Sequence, residues 1–226
     1  PLLSCDLPGN GRLQVVLPPC VAPGHPSITI RIGDEAWPTL DQYITSGFFN
    51  KTRNVKRSRP EVDDQLAELY RAGDWGAFFR LAVRAKKTII GCGETASGKT
   101  RFSKALLGEV PHSERLITIE DAPELRGLPH PNRVMMFYNK EAKGTGNGLG
   151  PTARQLIEAA LRMRIGRLFL QEIRDDQTVT AFLAALLSGH PGAITTLHAR
   201  SPAEVFDRLQ DLVSEDIVRN LQANID

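Results

Sequence analysis

Cysteine is scarce in this chain, with three in 226 residues: Cys5, Cys20 and Cys92. An odd number without a Cys-x-x-Cys pair supports neither a disulfide scaffold nor a zinc ribbon, and it fits a reducing compartment. Long apolar runs are missing too. The longest, Ala181 to Leu187, has seven residues, whereas a membrane-spanning helix needs about 20. No signal-peptide pattern is visible, so the sequon Asn50-Lys51-Thr52 reads as a chance match. Nor does one charge dominate. Lys and Arg total 28 against 26 Asp and Glu, a formal +2, which gives no global pull toward nucleic acid or anionic lipid. There is no internal repeat. The chain opens at Pro1 without a Met and closes at Asp226 without a polar tail, so it is expected to be a piece of a longer protein.

What is present can build a core: 41% hydrophobic and 24% charged residues, enough for one large domain or two small ones. Residues 1–49 read as β-rich, with strands expected over Arg12–Leu17 and Ser27–Ile32 and a short helix entered through a Thr39 cap. Residues 50–65 read as a basic linker, because Lys51, Arg53, Lys56, Arg57 and Arg59 crowd a stretch without apolar periodicity that ends at Pro60. A solvated connector is the plainer interpretation; contact with acidic lipid head groups is the alternative. From residue 66 to 226 short apolar strands alternate with amphipathic helices, which implies a parallel sheet covered on both faces. The glycine-rich stretch at Gly144, Gly146, Gly148 and Gly150 is expected as a loop.

Gly93-Glu94-Thr95-Ala96-Ser97-Gly98-Lys99-Thr100 fits the phosphate-loop pattern G-x-x-x-x-G-K-[ST] at every fixed position. It follows an apolar strand and opens a helix, as the chemistry requires. The glycines let backbone N–H groups curl around phosphate oxygens, and the helix aims its positive end at the same anion. Lys99 is then expected to neutralise the β and γ phosphates, and the Thr100 hydroxyl to bind Mg²⁺. Ala96 stands where many such loops carry another Gly, which is acceptable only if its φ is negative.

A second group, Glu120, Asp121 and Glu124, lies at a strand's C-terminal end, where parallel sheets bind ligands. These carboxylates suit Mg²⁺ waters or polarisation of an attacking water; alone, they equally read as a solvated acidic turn. Third, Arg167-Leu168-Phe169-Leu170-Gln171-Glu172 delivers Glu172 at a strand tip, placed to activate water and to reach Mg²⁺ through one. Fourth, His190 and His198 flank the strand Ala193–Leu197; their eight-residue spacing suits no simple helical metal pair, and His198 could report a γ-phosphate.

Taken in order, GETASGKT, ITIEDAPEL, LFLQEIRD and SGHPGAITTLHA resemble the four boxes of the secretion ATPase superfamily, over roughly Pro1 to Val213. EDAPEL, the Leu161-Arg162-Met163-Arg164 helix and SGHPG lean toward its type IV secretion branch; the type II and pilus-retraction branches are the near alternatives. The resemblance implies a RecA-like α/β motor domain with a parallel sheet, preceded by part of a small α/β N-terminal domain. It implies ATP and Mg²⁺, a homo-hexameric ring, and secretion-system ATPases and inner-membrane channel components as partners. A peripheral place at the cytoplasmic face of the bacterial inner membrane is implied as well, with no sequence-specific nucleic-acid binding. Arg31 matches a position where the family sets a basic residue against nucleotide, and Arg162 and Arg164 are candidate phosphate or inter-subunit arginines. There are departures: Gln171 replaces the usual Gly and is expected to reshape the water site, Ile165-Gly166 replaces Pro-Asp, and Arg101 ends the candidate nucleotide-binding set where a second Thr is common. Two rival classes remain open, a DNA-directed RecA-type motor and a nucleotide-gated assembly protein with little turnover.

Overall fold

The structure, a computed structural model, describes residues 1–33, 37–51, 61–139 and 150–213. Its first sheet is an antiparallel meander of β1 (Leu2–Leu7), β2 (Gly11–Val16) and β3 (Ser27–Arg31). Strand β1 lacks the β-branched pattern of its neighbours and is not marked in the sequence. It exists through pairing, with Leu3 opposite Val15 and Cys5 opposite Leu13. Helix α1 (Leu40–Thr45) begins at the expected Thr39 cap: the Gln42 N–H donates to Thr39 Oγ1, and the Thr39 N–H donates back to Gln42 Oε1 at 2.8 Å.

The expected linker residues Arg53, Lys56, Arg57 and Arg59 lie outside the described residues, as do Gly144, Gly146 and Gly148. Past residue 60 the chain runs α2 (Glu61–Ala72), α3 (Trp75–Arg84), β4 (Ile89–Cys92), α4 (Lys99–Gly108), β5 (Leu116–Glu120), β6 (Arg133–Phe137), α5 (Ala153–Ala160), β7 (Arg167–Ile173), α6 (Asp176–Leu187), β8 (Ile194–Leu197) and α7 (Pro202–Leu212). Helix α2 thus starts inside the expected linker. Its first turn carries Glu61, Asp63 and Asp64, acids that favour the positive helix end.

The second sheet has the order β4-β8-β7-β5-β6, with every pairing parallel. Parallel neighbours need crossover connections, and the helices supply them. All positions of β5 and β7 are buried, which accounts for their apolar runs. On one face Ile117, Ile119, Leu168 and Leu170 share a core with Leu156, Ile157, Val179 and Phe182; on the other, Leu116, Phe169 and Ile194 meet Val83, Leu106 and Leu107.

The two sheets are not separate bodies in their packing. Val16, Cys20 and Val21 are at most 2% exposed and belong to the core that holds Met136. The Phe137 N–H donates to the Cys20 carbonyl at 2.8 Å, and Val21 bridges to Met136. Strand β7 is longer than the sequence implies: it continues to Ile173, so Glu172 lies inside the strand and not at its tip. The β7–β8 register shifts between Leu170 and Ile173, where the Thr196 hydroxyl donates to the Gln171 carbonyl at 2.7 Å. Such irregularities re-aim side chains at functional sites.

Candidate active site

The loop 93–98 joins the end of β4 to the start of α4. Gly93 has φ 153°, and a Cβ there would meet Ser97 Oγ at 2.5 Å, so the loop closes only on glycine. Gly98, with φ 89°, caps α4 without a side-chain hydrogen bond, so no capping side chain takes up the first helical N–H groups. Ala96 corrects the expectation of a negative φ. It stands at φ 63°, because the loop reverses direction there, and its methyl group carries a penalty of about 1–2 kcal/mol. Glu94, Thr95, Ala96, Ser97 and Arg101 are exposed, and Thr100 is half-buried in the first turn of α4.

Lys99 Nζ donates to the carbonyls of Gly93 (2.8 Å) and Glu94 (2.7 Å) and lies 3.5 Å from His198 Nδ1. From there a polar chain crosses three strand ends. His198 Nε2 is 2.8 Å from Glu172 Oε1. Glu172 Oε2 accepts from Arg174 Nε at 2.7 Å, and Arg174 Nη1 reaches Asp121 Oδ2 at 3.0 Å. Burial alone would lower the Arg174 pKa, but the hydrogen bond and charge of Glu172, and then the charge of Asp121, outweigh it and raise the pKa above the ordinary value. Tyr138, beside the same charges, has its phenol pushed up to about 12, first by burial and next by Asp121.

The three acids of the turn after β5 have three different fates. Glu120 is fully buried and holds the turn together. Its Oε1 accepts from the Thr118 hydroxyl at 2.7 Å, and its Oε2 accepts the N–H groups of Glu124 and Leu125 at 3.0 Å each. Burial raises its pKa despite these bonds. Its carboxylate therefore does not join the polar chain that Asp121 enters through Arg174. Glu124 is exposed, and its Oε1 accepts from Gln171 Nε2 at 2.9 Å.

The two other expected arginines stand elsewhere. Arg31 and Arg162, together with Arg12 and Arg164, line a cavity of about 510 Å³ at the end of the sheet where β5 and β7 begin. Arg162 precedes β7 while Glu172 lies near its end, and this seven-residue strand spans roughly 20 Å. Within one chain, then, Arg31 and Arg162 do not assemble with Lys99. Arg162 donates instead to Ser4 Oγ at 3.2 Å. Nearby Arg115 has its pKa lowered, first by burial and then by the charge of Arg164. Sequence reasoning missed Arg174 and the contacts of Gln171. The available signal was spacing, since Glu172 and Arg174 are two apart on an extended segment and so share a face.

Among the described residues no three His, Cys, Asp or Glu side chains cluster as a metal site. The oxygen donors near the loop, the Thr100 hydroxyl and the Glu172 carboxylate, fit a hard cation such as Mg²⁺, which keeps most of its waters. No helix among the described residues is long and apolar enough to cross a membrane.

Residues 52–226 match the family described as Type II/IV secretion system protein. The type IV secretion system protein VirB11 of Bartonella quintana is 40% identical, over 95% of this chain and 62% of the relative. VirB11 of Brucella abortus biovar 1 is 42% identical, over 96% of this chain and 59% of its own length. A crystal structure of the VirB11 ATPase from the Brucella suis type IV secretion system, in complex with sulphate, superposes with a TM-score of 0.81 at 40% identity, covering 92% of this chain and 61% of that one. This chain thus spans less than two thirds of the length of the relatives it matches.

Proposed function

Since this chain belongs to the type II/IV secretion system protein family, we propose that it carries the ATP-hydrolysing centre of a type IV secretion motor. The observation that carries the proposal is the unbroken run of contacts from Lys99 through His198 and Glu172 to Arg174 and Asp121 at the mouth of a phosphate loop. In this reading ATP lies in loop 93–98, and the N–H groups of the loop and of the start of α4 hold its phosphates. Lys99 exchanges the Gly93 and Glu94 carbonyls for phosphate oxygens. Mg²⁺, held by the Thr100 hydroxyl and through water by Glu172, would supply charge neutralisation.

Glu172 takes a proton from the lytic water, whose oxygen bonds to the γ phosphorus while the bond to the bridging oxygen breaks, giving ADP and phosphate. A carboxylate has about four lone-pair sites, so Glu172 can receive that proton while Arg174 and His198 hold it in place. His198 touches both the cation that binds phosphate and the acid that activates water, so loss of the γ-phosphate would change its contacts. That difference in contacts between states is what a conformational switch needs.

Arg31 and Arg162 can serve a phosphate only if another copy presents it, because their own loop is at the far end of the sheet. This supports a ring of copies, which we propose to be a homo-hexamer working at the cytoplasmic face of the inner membrane with the other ATPases and channel components of the secretion system. The test is steady-state phosphate release with Mg-ATP. The expected result is turnover that Lys99→Ala lowers by at least roughly 100-fold while circular dichroism stays native. Equal turnover in the two proteins would remove the phosphate-loop assignment.

A further inference from the structure

The mechanism above gives no task to Gln171, yet this side chain is 8% exposed and makes two directed bonds across the sheet. Its Oε1 accepts the Asp121 N–H at 2.8 Å, and its Nε2 donates to Glu124 Oε1 at 2.9 Å. One amide on β7 therefore holds both sides of the acidic turn that follows β5. Its own backbone is fixed in turn, because the Gln171 carbonyl accepts from the Thr196 hydroxyl on β8.

The chemistry of the amide matters here. At neutral pH a carboxylate in its place could accept from Asp121 but not donate to Glu124, and an apolar side chain could do neither. The turn in turn determines where the Asp121 carboxylate lies. Asp121 meets Arg174, and Arg174 holds Glu172 Oε2. A shift of the turn would pass through Arg174 to the acid that faces the water.

We propose that Gln171 is a positioning residue for ATP hydrolysis. It clamps the acidic turn to β7 so that Asp121 and Arg174 hold Glu172 in its reactive orientation. This rests on the reading of Glu172 as the group that activates water. The Gln171 side chain engages the turn through both its Oε1 and its Nε2, so it acts through Asp121 and Arg174.

Two variants test it. Gln171→Leu keeps the bulk and removes both bonds. The expected result is a kcat lower by roughly 10- to 100-fold, the range that misplacement of a reacting group produces. KM for ATP and affinity for a non-hydrolysable ATP analogue should change less than about twofold, because the phosphate loop is untouched. Gln171→Glu is nearly isosteric and sets a second carboxylate against Glu124, with Asp121 on the same turn, Glu120 at the end of β5, Glu172 on its own strand, Arg174 just beyond it and Tyr138 after β6. Like charges raise the pKa of such a pair, and one shared proton restores a donor. Its kcat relative to the unaltered chain should therefore rise as pH falls from about 8 toward about 6.

A Leu variant with unaltered kcat, or a Glu variant whose pH profile follows the unaltered chain, would overturn the proposal. Should the Leu variant fail to fold, the Glu profile decides. If the unaltered chain releases no phosphate, the proposed function is what has failed. Crystal structures then judge the clamp separately: in Gln171→Leu the 3.0 Å Asp121–Arg174 contact must open, and its persistence would overturn the clamp.

Discussion

The two ends of the parallel sheet solve opposite electrostatic problems. Where the strands finish, every cation of the polar chain meets an acid or an acceptor, from Lys99 through His198 and Glu172 to Arg174 and Asp121. Where the strands begin, Arg12, Arg31, Arg162 and Arg164 gather round one cavity with Arg115 beside them. Among the described residues the one ion pair in that set of four is Arg12 with Asp6, at 3.7 Å and largely exposed, a kind of pair worth little. A finished set of partners can act within one chain. A set of like charges gains most from an anion brought to it, as the proposed ring of copies would bring one.

The sharpest way to break this contrast is at the finished end. Glu172→Gln is expected to bind ATP normally and to slow hydrolysis by roughly 100-fold or more, read by single-turnover phosphate release. An unaltered rate would hand the role to Asp121 or Glu124, since Glu120 is committed to its turn. The arginine end should behave differently. Arg162→Ala is expected to leave ATP affinity of the isolated chain unchanged and to lower turnover by about tenfold only under conditions where copies associate. Equal losses in dilute and associated samples would place Arg162 in its own chain's site.

Smaller effects refine the comparison between acids at the finished end. Burial raises the pKa of Glu120, so its contribution to stability is present below the ordinary carboxylate range and is lost as pH rises through the raised folded value. Glu120→Gln can keep the same contacts, with its oxygen on the two N–H groups and its amide on Thr118. At neutral pH the variant is expected to unfold at an equal or higher urea midpoint, and the advantage should vanish below about pH 4. The smallest expected effect is that of Ala96→Gly, which relieves a left-handed methyl but adds unfolded-state freedom. The net change in stability should be under about 1 kcal/mol, measurable as a small shift in the same midpoint.

The legible parts of this site were those that depend on backbone chemistry in a short window. The loop 93–100 needs glycines, a Lys and a hydroxyl at set positions, and its strand and helix were where the motif required them. His198 stands just past the end of β8, as the sequence implied, whereas Glu172, expected at a strand tip, is carried inside the longer β7. What escaped depends on strand order, which no local window holds. Gln171 meets Asp121 and Glu124 only because β7 lies beside β5, and Arg31 is remote from Lys99 because the meander that carries it packs beside Arg115, Arg162 and Arg164, where β5 and β7 begin. Ala96 escaped for another reason: residue preference argued for a negative φ, and the closure of the loop overrode it.

The sealed contact of Val16, Cys20 and Val21 with Met136 limits how the proposed motor could turn chemistry into displacement. Swinging the meander free would expose three side chains now shut away from water, at up to roughly 1.5–3 kcal/mol for a fully buried one of this kind. In the proposed motor the meander should therefore ride with β6 as one lever arm, and any joint that bends is expected outside residues 16–21.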